Sequence, residues 1–205
     1  MRRNSTALSA ERETIIVGVV LVLILAFGLM LRVLAFAQSE VPQYPHGDAA
    51  KYFTYAYNLK NFGVYGMGNL EVFPANSDPA AVRSVVPPDA IVTPGLPVFL
   101  SLFLGGEHTT EQRDAILLTQ VLLSVVTILL AFFAFLPVGK TLALGVALLT
   151  ACTPHLVTMN LHFLTEPLFT FLLLLSVFTL SRARPENRAV YFLALGAVLG
   201  LATLT

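Results

Sequence analysis

From Thr14 to Ala37 a single charged residue, Arg32, interrupts an otherwise apolar run. A spanning helix needs roughly 20 such residues, so this stretch is long enough to cross a bilayer. A cleaved leader is the rival reading, because basic residues come first and Ala35-Phe36-Ala37 has the small-x-small form of a cleavage site. The apolar part of a leader is usually only about 7–15 residues, so the run is expected to stay attached as a first span. Arg32 lies near its far end, where a long side chain is expected to snorkel to the head groups.

The rest of the chain makes the same demand on its surroundings. Of 205 residues, 56% are hydrophobic and 12% charged, against roughly 25% charged in soluble domains. So much apolar surface cannot be hidden in a water-soluble core of this size, and the bulk must face lipid. Lysine plus arginine equals aspartate plus glutamate, 12 each, so no global charge points to nucleic acid. The single Cys152 excludes an intrachain disulfide framework.

After the first run, residues 38–114 form a long polar-to-mixed segment punctuated by prolines. Within it, Ala49 to Phe62 reads as an amphipathic helix stopped by Gly63. Residues 62–90 read as irregular loop. Val98 to Leu104 is too short to span and reads as a helix at the interface. Further spans are expected at Ile116–Leu136, at Thr141–Thr153 with a break or kink at Pro154, at Leu168–Leu180 starting near Glu166, and at Ala189–Thr205. The expected fold is therefore all-α, a polytopic membrane protein of about five transmembrane helices, with juxtamembrane helices in the loop after the first span.

Basic residues orient that arrangement. With five spans, the amino-terminal tail, the turn at Lys140 and the loop with Arg182, Arg184 and Arg188 share one side. By the positive-inside rule that side is cytoplasmic, which places residues 38–114 and the connection before Glu166 outside. Asp48 and Glu166, far apart in sequence, then meet the same face of a cell membrane.

Two polar stretches stand out on that outer face. From Tyr44 to Leu59 the chain concentrates Tyr, His, Asp and Lys. A helix there sets Asp48, Tyr52, Tyr55 and Leu59 on one face at i, i+4, i+7 and i+11. Asp48 is equally well suited to be the N-cap of that helix, and the two roles are compatible. In the second stretch His162 and Glu166 are spaced i, i+4, with His155 seven residues before His162. Two imidazoles and a carboxylate are a loose set of ligands for a divalent metal ion. Glu166 before Pro167 is also a good helix start. His46 and Asp48 form a weak His-x-Asp pair, and His108 lies in a polar loop.

These residues carry a resemblance. Gly47-Asp48-Ala49-Ala50-Lys51-Tyr52 follows the first span, Asn61-Phe62-Gly63-Val64-Tyr65 comes next, and Thr93-Pro94-Gly95-Leu96-Pro97 precedes the second span. Leu164-Thr165-Glu166-Pro167-Leu168-Phe169 heads a later one. In order and spacing they resemble the amino-terminal half of the GT-C membrane glycosyltransferases, in the bacterial branch related to protein O-mannosyltransferases and the lipid A aminoarabinose transferase. The likeness covers roughly residues 14–205 and implies one GT-C-like transmembrane domain. It also implies transfer of a sugar from a polyprenyl-phosphate carrier to a lipid, glycan or protein acceptor at the outer membrane face. In that family an acidic residue after the first span is the proposed base, here Asp48. Many members have Asp-Glu there and this chain has Asp-Ala, so Glu166, at the family's later acidic position, is the second candidate. A carboxylate at a low-dielectric boundary has its charged form disfavoured, which strengthens it as a base. Lys51, Lys60 and Arg83 are candidates for the leaving phosphate, and Tyr52 and Tyr55 for binding substrate.

Two other classes fit the composition: a non-catalytic scaffold or inactive fragment in which Asp48 and Glu166 only cap helices, and a lipid-carrier transporter. The transporter expects several ionisable residues within spans, and only Arg32 clearly lies in one. Because members of the resembled family are longer and the last apolar run reaches only Thr205, the 205 residues are also expected to be a fragment or a truncated gene product, with the proposed acid-base residues but not the whole donor site.

Overall fold

A computed structural model describes residues 2–39, 45–68, 73–106 and 109–205, with side chains from Glu11 onward. Tyr44 and His108 lie outside them. The described elements are helical: α1 (Arg2–Gln38), α2 (Asp48–Phe62), α3 (Pro79–Val85), α4 (Gly95–Ser101), α5 (Thr110–Phe135), α6 (Lys140–Cys152), α7 (Pro154–Thr158), α8 (Glu166–Ser181) and α9 (Arg188–Thr203).

Local chemistry sets most of the boundaries. Gly63 ends α2 in the left-handed region, with φ 63°, and its N–H returns to the Leu59 carbonyl. Thr109 caps α5 by accepting from the Gln112 N–H. One expected loop holds a helix: Asp78 accepts from the Ala80 N–H and Pro79 takes the first position, so α3 forms inside residues 62–90. One expected cap is displaced, because Gly47 is the N-cap of α2 and Asp48 is its first residue. The interfacial helix α4 begins at Gly95 and not at Val98.

Two helices are long and apolar enough to cross a membrane, Glu11–Gln38 and Thr110–Phe135. The count reaches four if each bent pair, α6 with the segment 154–161 (56°) and α8 with the segment 185–203 (118°), is one span. The described helices thus give two to four candidate spans, where the sequence suggests about five. At 16 residues each, α8 and α9 are about 24 Å long, short of a hydrocarbon core of about 30 Å. The ends of the pair nevertheless come back together. Leu168 near the start of α8 and Leu204 just after α9 border the same groove beside α4, and the Gly95 N–H donates to the Leu204 carbonyl at 2.6 Å.

Two cores result. In the head, Phe53, Tyr57 and Phe62 of α2 pack with Val82 and Val86, Leu96 and Leu100, Ile116 and Leu117, and Phe163. In the bundle, Ile24 of α1 and Ile128 and Phe132 of α5 close on Ala143, Ala147 and Ala151 of α6. The alanines recur every four residues, a small-residue stripe that lets helices approach closely in lipid.

Arg32 corrects the snorkelling expectation. It is fully buried between α1, α5 and α6. Its Nε donates to Ser124 Oγ at 2.8 Å, and Nη1 to the carbonyls of Gly28 at 2.9 Å and Ala151 at 3.1 Å. Nη2 lies 3.5 Å from the Thr150 carbonyl. Pro154 explains the target. It has no N–H to give Thr150 four residues back, so the last carbonyls of α6 are left for another donor. The guanidinium fills that role from a neighbouring helix.

Candidate functional site

Three places bear on chemistry, taken from the water side inward. At the rim, Asp48 is 68% exposed and accepts from Lys51 Nζ at 2.7 Å. Asp48 holds the Lys51 ammonium above its usual range, first through that hydrogen bond and then through its charge. Asp48 therefore sits in water beside a cation, not at a desolvated boundary. The expected shared face of α2 also splits. Tyr55 is fully buried, its ring 4.7 Å from that of Tyr65, while Tyr52 and Leu59 are half-buried. Tyr65 and Asp89 cover the turn at Tyr55, two turns beyond Asp48.

Asp89 holds this turn in place. Its carboxylate accepts from the Tyr55 hydroxyl, from the Met67 N–H at 3.1 Å and from the Ile91 N–H at 3.3 Å. It ties the loop to α2 and leaves the Tyr55 hydroxyl engaged. Arg83 is likewise engaged, its Nε donating to the Phe62 carbonyl at 2.6 Å at the end of α2. The available signal was an acidic residue within hydrogen-bond reach of its own loop backbone, a common use of Asp in turns.

Next inward, a cavity of about 240 Å³ is lined by Pro45, His46, Ala49, Arg113, Leu161, His162 and Phe163. It opens one residue from Asp48. Arg113, anchored through Nη2 to Asp114 at 2.8 Å, brings a guanidinium to its wall. His162 is exposed and borders this cavity, while His155 is exposed on α7. No three His, Cys, Asp or Glu side chains gather as a metal site among the described residues. His155, His162 and Glu166 thus do not form the expected ligand set.

Deepest, a cavity of about 10 Å³ lies between α5, the turn Met159–Leu161 and α8. Ser124, Thr127, Asn160 and Glu166 supply its polar lining. Buried Glu166 Oε2 and Asn160 Oδ1 have no hydrogen-bond partner among the described residues, and neither do both amide atoms of Gln120. Buried polar groups are nearly always partnered, and one left bare costs about 1–3 kcal/mol. Glu166 borders this inner cavity and Asp48 does not, so the two carboxylates occupy separate levels of the site.

The regular elements among the described residues are all helices, two of them long and apolar enough to cross a membrane, which points to a membrane protein. Residues 93–205 match the family model described as dolichyl-phosphate-mannose-protein mannosyltransferase. That is more than half of the chain, which therefore belongs to this family of GT-C membrane glycosyltransferases. The match takes in Thr93-Pro94-Gly95-Leu96-Pro97 and Glu166, and leaves Asp48 outside it. No curated protein and no solved structure matches the chain.

Proposed function

We propose that the chain transfers a sugar from a polyprenyl-phosphate carrier to a lipid, glycan or protein acceptor at the outer face of a cell membrane, with Asp48 as the base that orients the acceptor. The family match carries this reading, because it spans α8, which starts at Glu166, a half-buried residue whose Oε2 has no hydrogen-bond partner among the described residues. In this reading residues 1–205 act as one GT-C-like transmembrane domain, with 38–114 as its outer loop. Lys51 is the phosphate's first partner. Its ion pair with Asp48 is exposed and screened by water, so an arriving phosphate can draw Lys51 away and release the carboxylate. Arg113 at the wall of the 240 Å³ cavity supplies a second cation, in the role the sequence suggested for Arg83. Tyr52, at the open end of α2, meets the sugar. Glu166 is the second acidic group, acting from below.

The topology belongs to the same proposal. Five crossings with the amino terminus cytoplasmic put the head and Glu166 outside. The return of α9 to the side of α4, where α8 also starts, supports counting α8 and α9 as two crossings. In a chain with Cys152 replaced, Ile91→Cys and His162→Cys should react with an impermeant thiol reagent added outside intact cells, and Glu186→Cys should not. Labelling at 186 overturns the orientation.

Activity is tested in membranes bearing the protein, supplied with radiolabelled polyprenyl-phosphate mannose and then with other polyprenyl-phosphate sugars. Transfer should depend on the chain and fall at least 100-fold in Asp48→Asn, with insertion unchanged, in line with removal of a general base. Undiminished transfer by Asp48→Asn removes that residue from the chemistry, and dependence on none of the donors removes the transferase reading.

A further inference from the structure

The connection between α8 and α9 carries three arginines in one short loop, Arg182, Arg184 and Arg188. No ion pair joins any of them to a carboxylate among the described residues. Glu186, in the same loop, is exposed and lines neither of the cavities found there. Two of the three are steadied by rings. The Arg182 guanidinium carbon stands 5.1 Å from the centre of the Phe178 ring, and that of Arg188 stands 5.5 Å from the centre of Phe192. A guanidinium laid on a ring keeps its N–H edge for another ligand and loses less freedom when that ligand arrives. The helix ends that meet at the loop oppose each other in sign, the negative end of α8 and the positive end of α9, so the positive charge there is that of the arginines.

Two open clefts meet at Arg184. One, of about 510 Å³, lies between the loop and Pro137 of the α5–α6 turn, and Arg182, Asn187 and Tyr191 also line it. It gathers two guanidiniums, an amide and a phenol, all able to donate to an anion. The other, of about 470 Å³, is bounded by Leu180, Arg188 and Phe192. There an apolar wall begins, and it runs on to Val190 and Leu193, which are 68% and 76% exposed. A free phosphate would use the first cleft alone. A phospholipid uses both, its phosphate against the guanidiniums and its acyl chains along Leu180, Phe192 and Leu193.

We propose that the α8–α9 connection is a binding site for one anionic phospholipid, its phosphate held between Arg182 and Arg184 and its acyl chains laid against Leu180 and Phe192. The lipid would bridge the α8–α9 connection and the α5–α6 turn across the cleft that Pro137 closes. The site is separate from Asp48 and Glu166 and does not depend on sugar transfer.

Native mass spectrometry of the full chain, purified and delipidated in detergent, tests this with phosphatidylglycerol, phosphatidylcholine and inorganic phosphate as probes. One phosphatidylglycerol should be retained per chain, about 25-fold more tightly than phosphatidylcholine, at about fivefold for each arginine facing the phosphate. Arg182→Gln with Arg184→Gln should bring phosphatidylglycerol down to the level of phosphatidylcholine, with the melting temperature of the lipid-free protein unchanged. Arg184→Gln alone, a change at an exposed side chain, should cost about fivefold and serves if the double variant fails to fold. Arg12→Gln removes the same charge from α1 and should leave retention as in wild type. Equal weakening by Arg12→Gln and Arg184→Gln would mean that only total basic charge counts, and the site is overturned. Inorganic phosphate should displace no more lipid than chloride does at the same ionic strength. If it displaces the lipid outright, the ligand is a free phosphate and the lipid assignment falls.

Discussion

The head around α2 and the bundle of α1, α5 and α6 are closed by different side chains. In the head, large rings fill the core: Phe53, Tyr57 and Phe62 pack among aliphatic side chains from three other helices. Their loops are then tied by side-chain hydrogen bonds, Tyr55 to Asp89, Asn58 to the Gly66 carbonyl at 2.8 Å, and Tyr57 to the carbonyls of Phe73 and Gly106. In the bundle, Ala143, Ala147 and Ala151 bring helices close, and Gly28 leaves room beside Arg32. The difference follows from the solvent. Where water touches one side, burying apolar area drives packing, so large rings gain most. Where lipid surrounds the helices, burial gains little, and close backbone approach with few polar contacts has to hold them.

Changes that respect this division should act on one region and spare the other. The largest effect is expected from Phe53→Ala, which empties the centre of the head at about 3–5 kcal/mol. Hydrogen exchange should show α2 and α3 losing protection while α6 keeps it. Equal loss in α6 would mean that the two cores are one cooperative unit. Next comes Ala147→Leu, which forces a branched side chain into the alanine stripe at about 2–3 kcal/mol. It should lower the melting temperature in detergent and expose α6 to exchange with the head intact.

A smaller effect is expected from Tyr55→Phe. It takes one donor of three from the Asp89 carboxylate, at about 1.5 kcal/mol, and should loosen residues 64–68 and 89–92 before α2 itself. The smallest is a pH effect confined to the head. Burial pushes the Tyr65 phenol up to about 12 from its usual 10, and its hydroxyl donates to the Val92 carbonyl at 2.9 Å. The folded head thus keeps a proton that the unfolded chain releases. That contribution is full below about pH 10 and is lost as pH rises towards 12. Tyr65→Phe should flatten the fall in head stability over that window; an unchanged slope would show that the phenol is not what sets it.

Legibility from sequence follows the same division. The stops at Gly63 and Pro154 and the start at Glu166-Pro167 were readable, because each rests on the local chemistry of one or two residues. Asp78-Pro79 offered the same kind of signal, a capping Asp before a first-turn Pro, yet it was hidden in a stretch dense with prolines and taken as loop. The number of spans is less legible, since two 16-residue apolar runs are long enough to suggest crossings but not to require them. The site was harder. Asp48 and Glu166 could each be picked out by type and position, but their depth depends on which helices stand beside them. Ser124 and the tie of Asp89 to α2 rest on partners distant in the chain, Arg32 and Tyr55, and Arg113 and Asn160 stand out through the cavities they line.

The break at Pro154 has a consequence for how the protein is made. Arg32 finds its hydroxyl partner 92 residues and its α6 carbonyl 119 residues further along the chain. At about 5–20 residues per second of synthesis, the first helix waits on the order of ten seconds before α6 exists. Until α5 follows, its cation has of these partners only the Gly28 carbonyl of its own helix, and the head-group edge near the end of α1 is the place where it costs least. The burial seen in the finished fold is then a late event of biogenesis, in which α1 draws its charge inward only after α6 has been inserted with two carbonyls left open to receive it.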